Sequence, residues 1–173
     1  MASEGPPQVA VVVPTYRRPQ ALERTLRALV SERPPVALEI VVSDDGSPEP
    51  EGAQVGDVVE RLTGTLRENA VAGDPPARIL LVRQENAGPA AARNHGARAA
   101  SAPLLVFLDD DCAPAPGFLA YHLAAHTAGG QIAVLGHVEW APEVPLTPFM
   151  ELVVRGAQFN FGAIADPEQV PFT

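Results

Sequence analysis

Leu104-Leu105-Val106-Phe107-Leu108-Asp109-Asp110-Asp111 decides how this chain is read, because an unbroken apolar run there delivers three consecutive carboxylates. A run of that length fits a strand buried on both faces of a parallel sheet. Open α/β sheets bind their ligands outside the carboxyl ends of such strands. Three adjacent carboxylates favour a cation, and hard divalent ions such as Mg²⁺ and Mn²⁺ take oxygen ligands from carboxylates, water and phosphate. The stretch therefore predicts a metal-bridged diphosphate site at a strand end. An acidic triplet alone also suits a solvated turn, so the rest of the chain has to decide.

Outward from the triplet, Val9–Val13, Leu38–Ser43, Ile79–Val82 and Ile132–Leu135 are further short aliphatic runs bounded by Pro, Asp, Gly or Asn. These are strand lengths with strand borders. Between the first two, Leu22, Leu26, Leu29 and Val30 share one helical face behind Pro19, and Pro34 and Pro35 stop the helix. Val55, Val58, Val59, Leu62 and Leu66 repeat that spacing, Ala90–Ala100 is alanine-rich, and Phe118–Ala128 follows Pro116 and Gly117. The order βαβαβαβαβ predicts a doubly wound, mostly parallel α/β sheet flanked by helices. Ala70–Ala77, with Gly73, Pro75 and Pro76, reads as a surface loop, and no internal repeat is visible. After Val138 the pattern weakens. Leu146–Phe159 admits another helix, but Ala165–Thr173 brings no terminating element, so the fold is expected to be truncated at its C-terminus.

Bulk composition narrows the function. With 173 residues and 46% apolar content the chain can bury one core. A net charge of −9 argues against nucleic acid, which is gripped by clustered basic residues. All 12 basic residues are arginine, which excludes any mechanism that needs a lysine. The single cysteine, Cys112, rules out an intrachain disulfide, and no apolar run approaches the ~18 residues of a membrane helix. The expected compartment is the cytoplasm.

Four strand ends carry polar clusters. Pro14-Thr15-Tyr16-Arg17 offers a ring and a hydroxyl to a planar base. Asp44-Asp45-Gly46-Ser47 offers a carboxylate, which accepts from an imide N–H and so favours a uracil, thymine or guanine edge over adenine. The same tetrapeptide is also an ordinary Asp-Gly turn. Asn86-Ala87-Gly88-Pro89-Ala90-Ala91-Ala92-Arg93-Asn94 opens a helix with small residues and then presents Arg93 as a phosphate or base clamp, or as a plain surface arginine. The acidic triplet is the fourth cluster.

Together these segments resemble family 2 glycosyltransferases of the GT-A fold, in order and spacing, from Val9 to about Leu119: Val11-Val12-Val13-Pro14-Thr15-Tyr16-Arg17-Arg18, Ile40-Val41-Val42-Ser43-Asp44-Asp45-Gly46-Ser47, Asn86-Ala87-Gly88 with Ala92-Arg93-Asn94, and Phe107-Leu108-Asp109-Asp110-Asp111. The resemblance implies an enzyme that transfers a sugar, with inversion, from a nucleoside diphosphate sugar of UDP, dTDP or GDP type, dependent on Mg²⁺ or Mn²⁺. The acceptor would be a sugar or lipid-linked, the latter placing the protein at the inner membrane surface. Pro14, Thr15, Tyr16 and Arg17 would surround the nucleotide, Asp45 would accept the base N–H, and Arg93 would help hold the nucleotide. Asp109–Asp111 would form the DxD element. In it Asp111 is the expected direct metal ligand with Asp109 as a second, and Asp109 and Asp110 lie near ribose and sugar hydroxyls. Residues 1–138 would be the nucleotide-sugar-binding core and 139–173 the incomplete start of an acceptor-side region.

The family's general base, commonly an Asp in an acidic motif beyond the donor half, is not visible here. Asp166 and Glu168 are the only acids after Glu151, so the catalytic residue is unassigned. A non-catalytic nucleotide-sugar or metal-binding module of the same fold is the competing expectation. Receiver domains and haloacid-type phosphatases also cluster Asp at strand ends but rely on a lysine, and a sugar nucleotidyltransferase would need a Gly-rich opening after the first strand. His122 and His126 have zinc-compatible spacing yet lack the Glu of a zinc-protease motif. Cys112 suits packing better than a hard ion. Trp140 and Glu139 are weaker candidates for shaping a sugar pocket.

Overall fold

Four of the apolar runs become parallel strands: β1 (Val9–Thr15), β2 (Leu38–Asp44), β3 (Ala77–Arg83) and β4 (Leu104–Phe107). This is a computed structural model, and it describes residues 6–32, 34–127 and 132–153. The chain divides into two compact units, Met1–Gly130 and Gln131–Thr173. In the first, the sheet order is β3-β2-β1-β4. The helices α1 (Pro19–Ser31), α2 (Glu51–Glu68) and α3 (Pro89–Ala99) cross between strands, and α4 (Phe118–Ala125) follows β4. This is the doubly wound, mostly parallel α/β arrangement expected from the sequence.

Helices cover both faces of the two central strands. Val9, Val11 and Val13 of β1 and Leu38, Ile40 and Val42 of β2 share one core with Leu22, Leu26 and Leu29 of α1 and Val55, Val58 and Leu62 of α2. Each such side chain contributes roughly 1.5–3 kcal/mol when fully buried. On the opposite face α3 lies across β1 and β2. It comes so close that a Cβ on Gly96 would stand 2.5 Å from Val12 Cγ1, which is why its packing face is made of Ala92 and glycine. At the helix junction Glu32, one residue past α1, accepts from the Gly117 and Leu119 N–H groups at 3.0 and 3.3 Å and so caps α4.

Two sequence expectations change. Only β1 and β2 are buried along their whole length. β3 and β4 are edge strands, and Leu105 and Phe107 of β4 are exposed, α3 packing chiefly on β1 and β2. The fifth strand expected at Ile132–Leu135 is absent: residues 132–140 hold no helix or strand, with Ile132, Val134 and Leu135 exposed. Apolar composition alone does not make a strand, because the backbone N–H and C=O groups also need a ladder partner. Ala70–Pro76 is the loop expected. Of the helix sought at Leu146–Phe159, α5 (Pro148–Leu152) is observed, started by the Thr147 hydroxyl accepting from Met150 N–H, while the part after Val153 lies outside the described residues, as do Asp166 and Glu168.

Candidate functional site

The register of the sheet brings the polar strand ends together. β1 pairs with β4 at a constant offset, Val9 with Leu104 through Val12 with Phe107, and Leu108 N–H continues the ladder onto Val12 O. The same offset carries Thr15 to Asp110, where the Thr15 hydroxyl donates to Asp110 Oδ2 at 2.6 Å in a fully buried contact. Strands β2 and β3 lie on one side of β1 and β4 on the other, so this contact sits at the point where the chain reverses its winding. Crevices at such points are the ordinary ligand sites of open α/β sheets.

Two further contacts fix the triplet. Thr25 of α1 places its buried hydroxyl 2.8 Å from Asp110 O and 2.9 Å from Cys112 O, sharing one proton between the two carbonyls. Arg18, at the start of α1, sets Nη2 2.6 Å from Asp110 Oδ1 and Nη1 2.9 Å from Asp111 Oδ2. The first is an ion pair without hydrogen-bond alignment, which leaves the buried Oδ1 without an aligned donor. Arg93 of α3 pairs closely with Asp109. Burial pushes the Asp110 carboxyl above the usual carboxylate range; Thr15 and Arg18 pull it back, while Asp111 and Asp109 add to the rise. Burial also raises the neighbouring Cys112 thiol, helped by the three aspartates.

The second strand end is built differently. Asp45 is buried, and its Oδ1 accepts from Gln84 Nε2 at 2.7 Å and Ala87 N at 2.9 Å. Its Oδ2 accepts from Gly88 N at 2.8 Å and Asn86 Nδ2 at 3.1 Å. The carboxylate thus ties the end of β2 to the loop that launches α3, and a base N–H would have to take the place of one of these four donors. Gly46 makes that junction possible: at φ 75° it lies so near the loop that a Cβ would stand 2.8 Å from Asn86 N. Asp44 Oδ1 accepts from Ser47 N and Oγ, and Ser47 Oγ in turn accepts from Arg17 N at 2.8 Å. Arg17 holds a left-handed φ of 58°, rare for a side chain of its size and consistent with an imposed turn.

Of the residues singled out in the sequence, Thr15, Asp109, Asp110, Asp111 and Arg93 converge. Pro14 is buried within β1, and Tyr16 and Arg17 are exposed beside the cluster. The triplet does not form a ready-made metal cage, since no group of three or more His, Cys, Asp or Glu side chains is placed to hold an ion among the described residues. Its carboxylate oxygens suit Mg²⁺ or Mn²⁺ in kind. Asp110 Oδ1 has no aligned donor among the described residues, and Arg18 stands against both Asp110 and Asp111, the latter an expected metal ligand. His122 packs edge-on against Phe118, and the His126 ring nitrogen lies 2.7 Å from His122 O, so that pair belongs to the helix. Trp140 and Glu139 are exposed in the second unit. Sequence reasoning missed Thr25 and Gln84 and gave Arg18 no role. The signal for Thr25 was a lone hydroxyl inside the apolar face of Leu22, Leu26 and Leu29.

Residues 10–152 match the sequence profile of Glycosyl transferase family 2. The chain belongs to this family. Among family relatives, validoxylamine A glucosyltransferase of Streptomyces hygroscopicus subsp. limoneus is 42% identical over 69% of this chain and 24% of its own length. Glycosyltransferase AglE of Haloferax volcanii is 30% identical over 78% of this chain and 40% of its own. The chain therefore spans between about a quarter and two fifths of these curated relatives. A family 2-like fold is also seen in the mannosyltransferase PcManGT of Pyrobaculum calidifontis, solved in complex with GDP-Man and Mn²⁺, at 27% identity and a TM-score of 0.54 over 71% of this chain and 33% of that one. These GT-A neighbours share the parallel sheet and flanking helices described above. Among the described residues no helix is long and apolar enough to cross a membrane.

Proposed function

We propose that residues 1–138 bind a nucleoside diphosphate sugar, as the donor portion of a glycosyltransferase that works with inversion and a divalent metal ion. The observation that carries this reading is the buried Thr15–Asp110 contact, which sets the acidic triplet at the switch point of the sheet. The PcManGT complex with GDP-Man and Mn²⁺ supports a site of this kind. Asp111 and Asp109 would hold Mg²⁺ or Mn²⁺. Bound there, the ion neutralises the diphosphate and stabilises it as a leaving group.

The chain's own residues do the positioning. Thr15 and Thr25 hold Asp110 from both sides, so the exposed carboxylates of Asp109 and Asp111 project from a fixed backbone. Tyr16, half exposed beside them, offers a ring for a base to stack on. Arg93 stands at the triplet from the first turns of α3, where it can turn to a phosphate or to the base. Asp45 would read the imide edge by exchanging its Gln84 contact for a base N–H. The acceptor would be a sugar hydroxyl, free or lipid-linked, at the cytoplasmic face of the membrane.

Calorimetric titration of the purified chain with UDP, dTDP, GDP and ADP, each with Mn²⁺, with Mg²⁺ and with chelator, tests the reading. The expected result is metal-dependent binding of an imide-bearing nucleotide, weak binding of ADP, and loss of both in Asp111→Ala. A folded chain that ignores all four nucleotides overturns it. Retained nucleotide binding with no sugar transfer to any acceptor would favour the non-catalytic module.

A further inference from the structure

Resting on the donor-site reading, we infer that Arg18 is an internal counter-cation of the acidic triplet: a divalent ion held by Asp111 and Asp109 would take Asp111 from it, and the freed guanidinium arm would then serve the diphosphate. The geometry is two-pronged. Nη2 and Nη1 of one guanidinium face two different carboxylates, at 2.6 and 2.9 Å, so one rigid fork neutralises both. Asp110 is fully buried whereas Arg18 is about half exposed, so the carboxylate is fixed and the arginine is the partner that can leave. The first contact lacks hydrogen-bond alignment, so the buried Asp110 Oδ1 has no aligned donor among the described residues and holds Arg18 by charge alone.

Arg18 and an ion held by Asp111 and Asp109 compete for the Asp111 carboxylate, so metal binding weakens the hold of Arg18 and the hold of Arg18 weakens metal binding. A guanidinium released at this position stays within the same strand-end cluster, where its fork matches phosphate oxygens as well as carboxylates. Metal and diphosphate would then support each other's binding through Arg18. This coupling is distinct from simple charge attraction. Arg17, one residue earlier, carries the same charge but points to Glu51 at 3.8 Å and makes no contact with the triplet.

The test is Mn²⁺ binding to the full chain, followed by electron paramagnetic resonance of the free ion, with and without UDP or GDP. Arg18→Gln is expected to bind Mn²⁺ alone roughly tenfold more tightly than wild type, within the usual range for coupled sites. It should also lose most of the tightening that the nucleotide gives the wild type. Arg61→Gln, which removes the same charge from a side chain that pairs with Glu23, should leave Mn²⁺ affinity near wild type. Arg18→Lys keeps the charge without the fork, gives intermediate affinity, and covers the case in which the Gln variant, confirmed by circular dichroism, fails to fold. Equal Mn²⁺ affinity in wild type, Arg18→Gln and Arg18→Lys, with nucleotide binding still metal-dependent, overturns the role of Arg18 and leaves the donor site standing. So does an equal gain in Arg61→Gln. No binding of Mn²⁺ or nucleotide by any folded form overturns the donor site itself.

Discussion

Replacing Asp45 by Asn separates two jobs that one carboxylate could do. In the structure its four acceptor directions are all used, two by the backbone N–H groups of Ala87 and Gly88 and two by the side-chain amides of Gln84 and Asn86. Asn keeps one oxygen and turns the other into a donor, so whichever way it faces, two donors meet an NH₂. The opposing Gln84 or Asn86 amide can flip and present its oxygen, but a backbone N–H cannot. One N–H, of Ala87 or Gly88, is left facing a donor, at a cost of about 1–3 kcal/mol. The remaining bonds also lose their charge assistance, about 0.5–1 kcal/mol each by the difference between charged and neutral acceptors. Because the 84–88 loop is partly exposed and water can relieve some of this, the expected net loss is about 3 kcal/mol. Urea denaturation followed by circular dichroism measures it, with nucleotide titration of the same sample alongside. An Asp45→Asn protein as stable as wild type that nevertheless fails to bind nucleotide would refute the argument, since Asp45 would then read the base without anchoring the loop.

Thr25→Val should cost about 1–2 kcal/mol in denaturant, because the carbonyls of Asp110 and Cys112 lose their shared donor, and Thr25→Ser should recover most of it. Ser43→Ala is expected to stabilise by up to about 1 kcal/mol, since the Ser43 hydroxyl is buried beneath α3 without a hydrogen-bond partner among the described residues; a destabilised variant would mean that the hydroxyl has one. The pH profile should show His122. Burial, with His126 adding to it, holds its imidazole below the ordinary value of 6.5. The unfolded chain then takes up the proton first, so stability is complete at neutral pH, falls as pH drops below that value, and levels off beneath the folded pKa. Thermal melts of His122→Phe between about pH 7 and pH 5 should show a shallower slope than wild type, and parallel slopes would remove His122 as the cause.

Which parts of this site could be read in advance follows from what each depends on. β1 and β2 are legible because burial on both faces writes an uninterrupted apolar run, and the edge strand β4 reads the same way because Leu105 and Phe107 have the right composition, although α3 packs chiefly on β1 and β2 and leaves them exposed. The run at Ile132–Leu135 failed for a related reason, since no residue type reports whether a ladder partner exists. The site divides along the same line. That Asp109–Asp111 end a strand is local and could be read directly, while the occupants of their oxygens are set by residues far away in sequence. Thr15 reaches Asp110 through a sheet register, Arg18 through the turn that opens α1, and Arg93 through a helix on the other face. Asp45 shows the consequence most clearly: acceptor chemistry points a free carboxylate to a base N–H, and the fold adds a loop some forty residues on whose four donors a base would have to share. A carboxylate's type thus announces a need for donors or cations, and the fold decides which residues answer it: loop donors at Asp45, and a half-exposed arginine at Asp110 and Asp111.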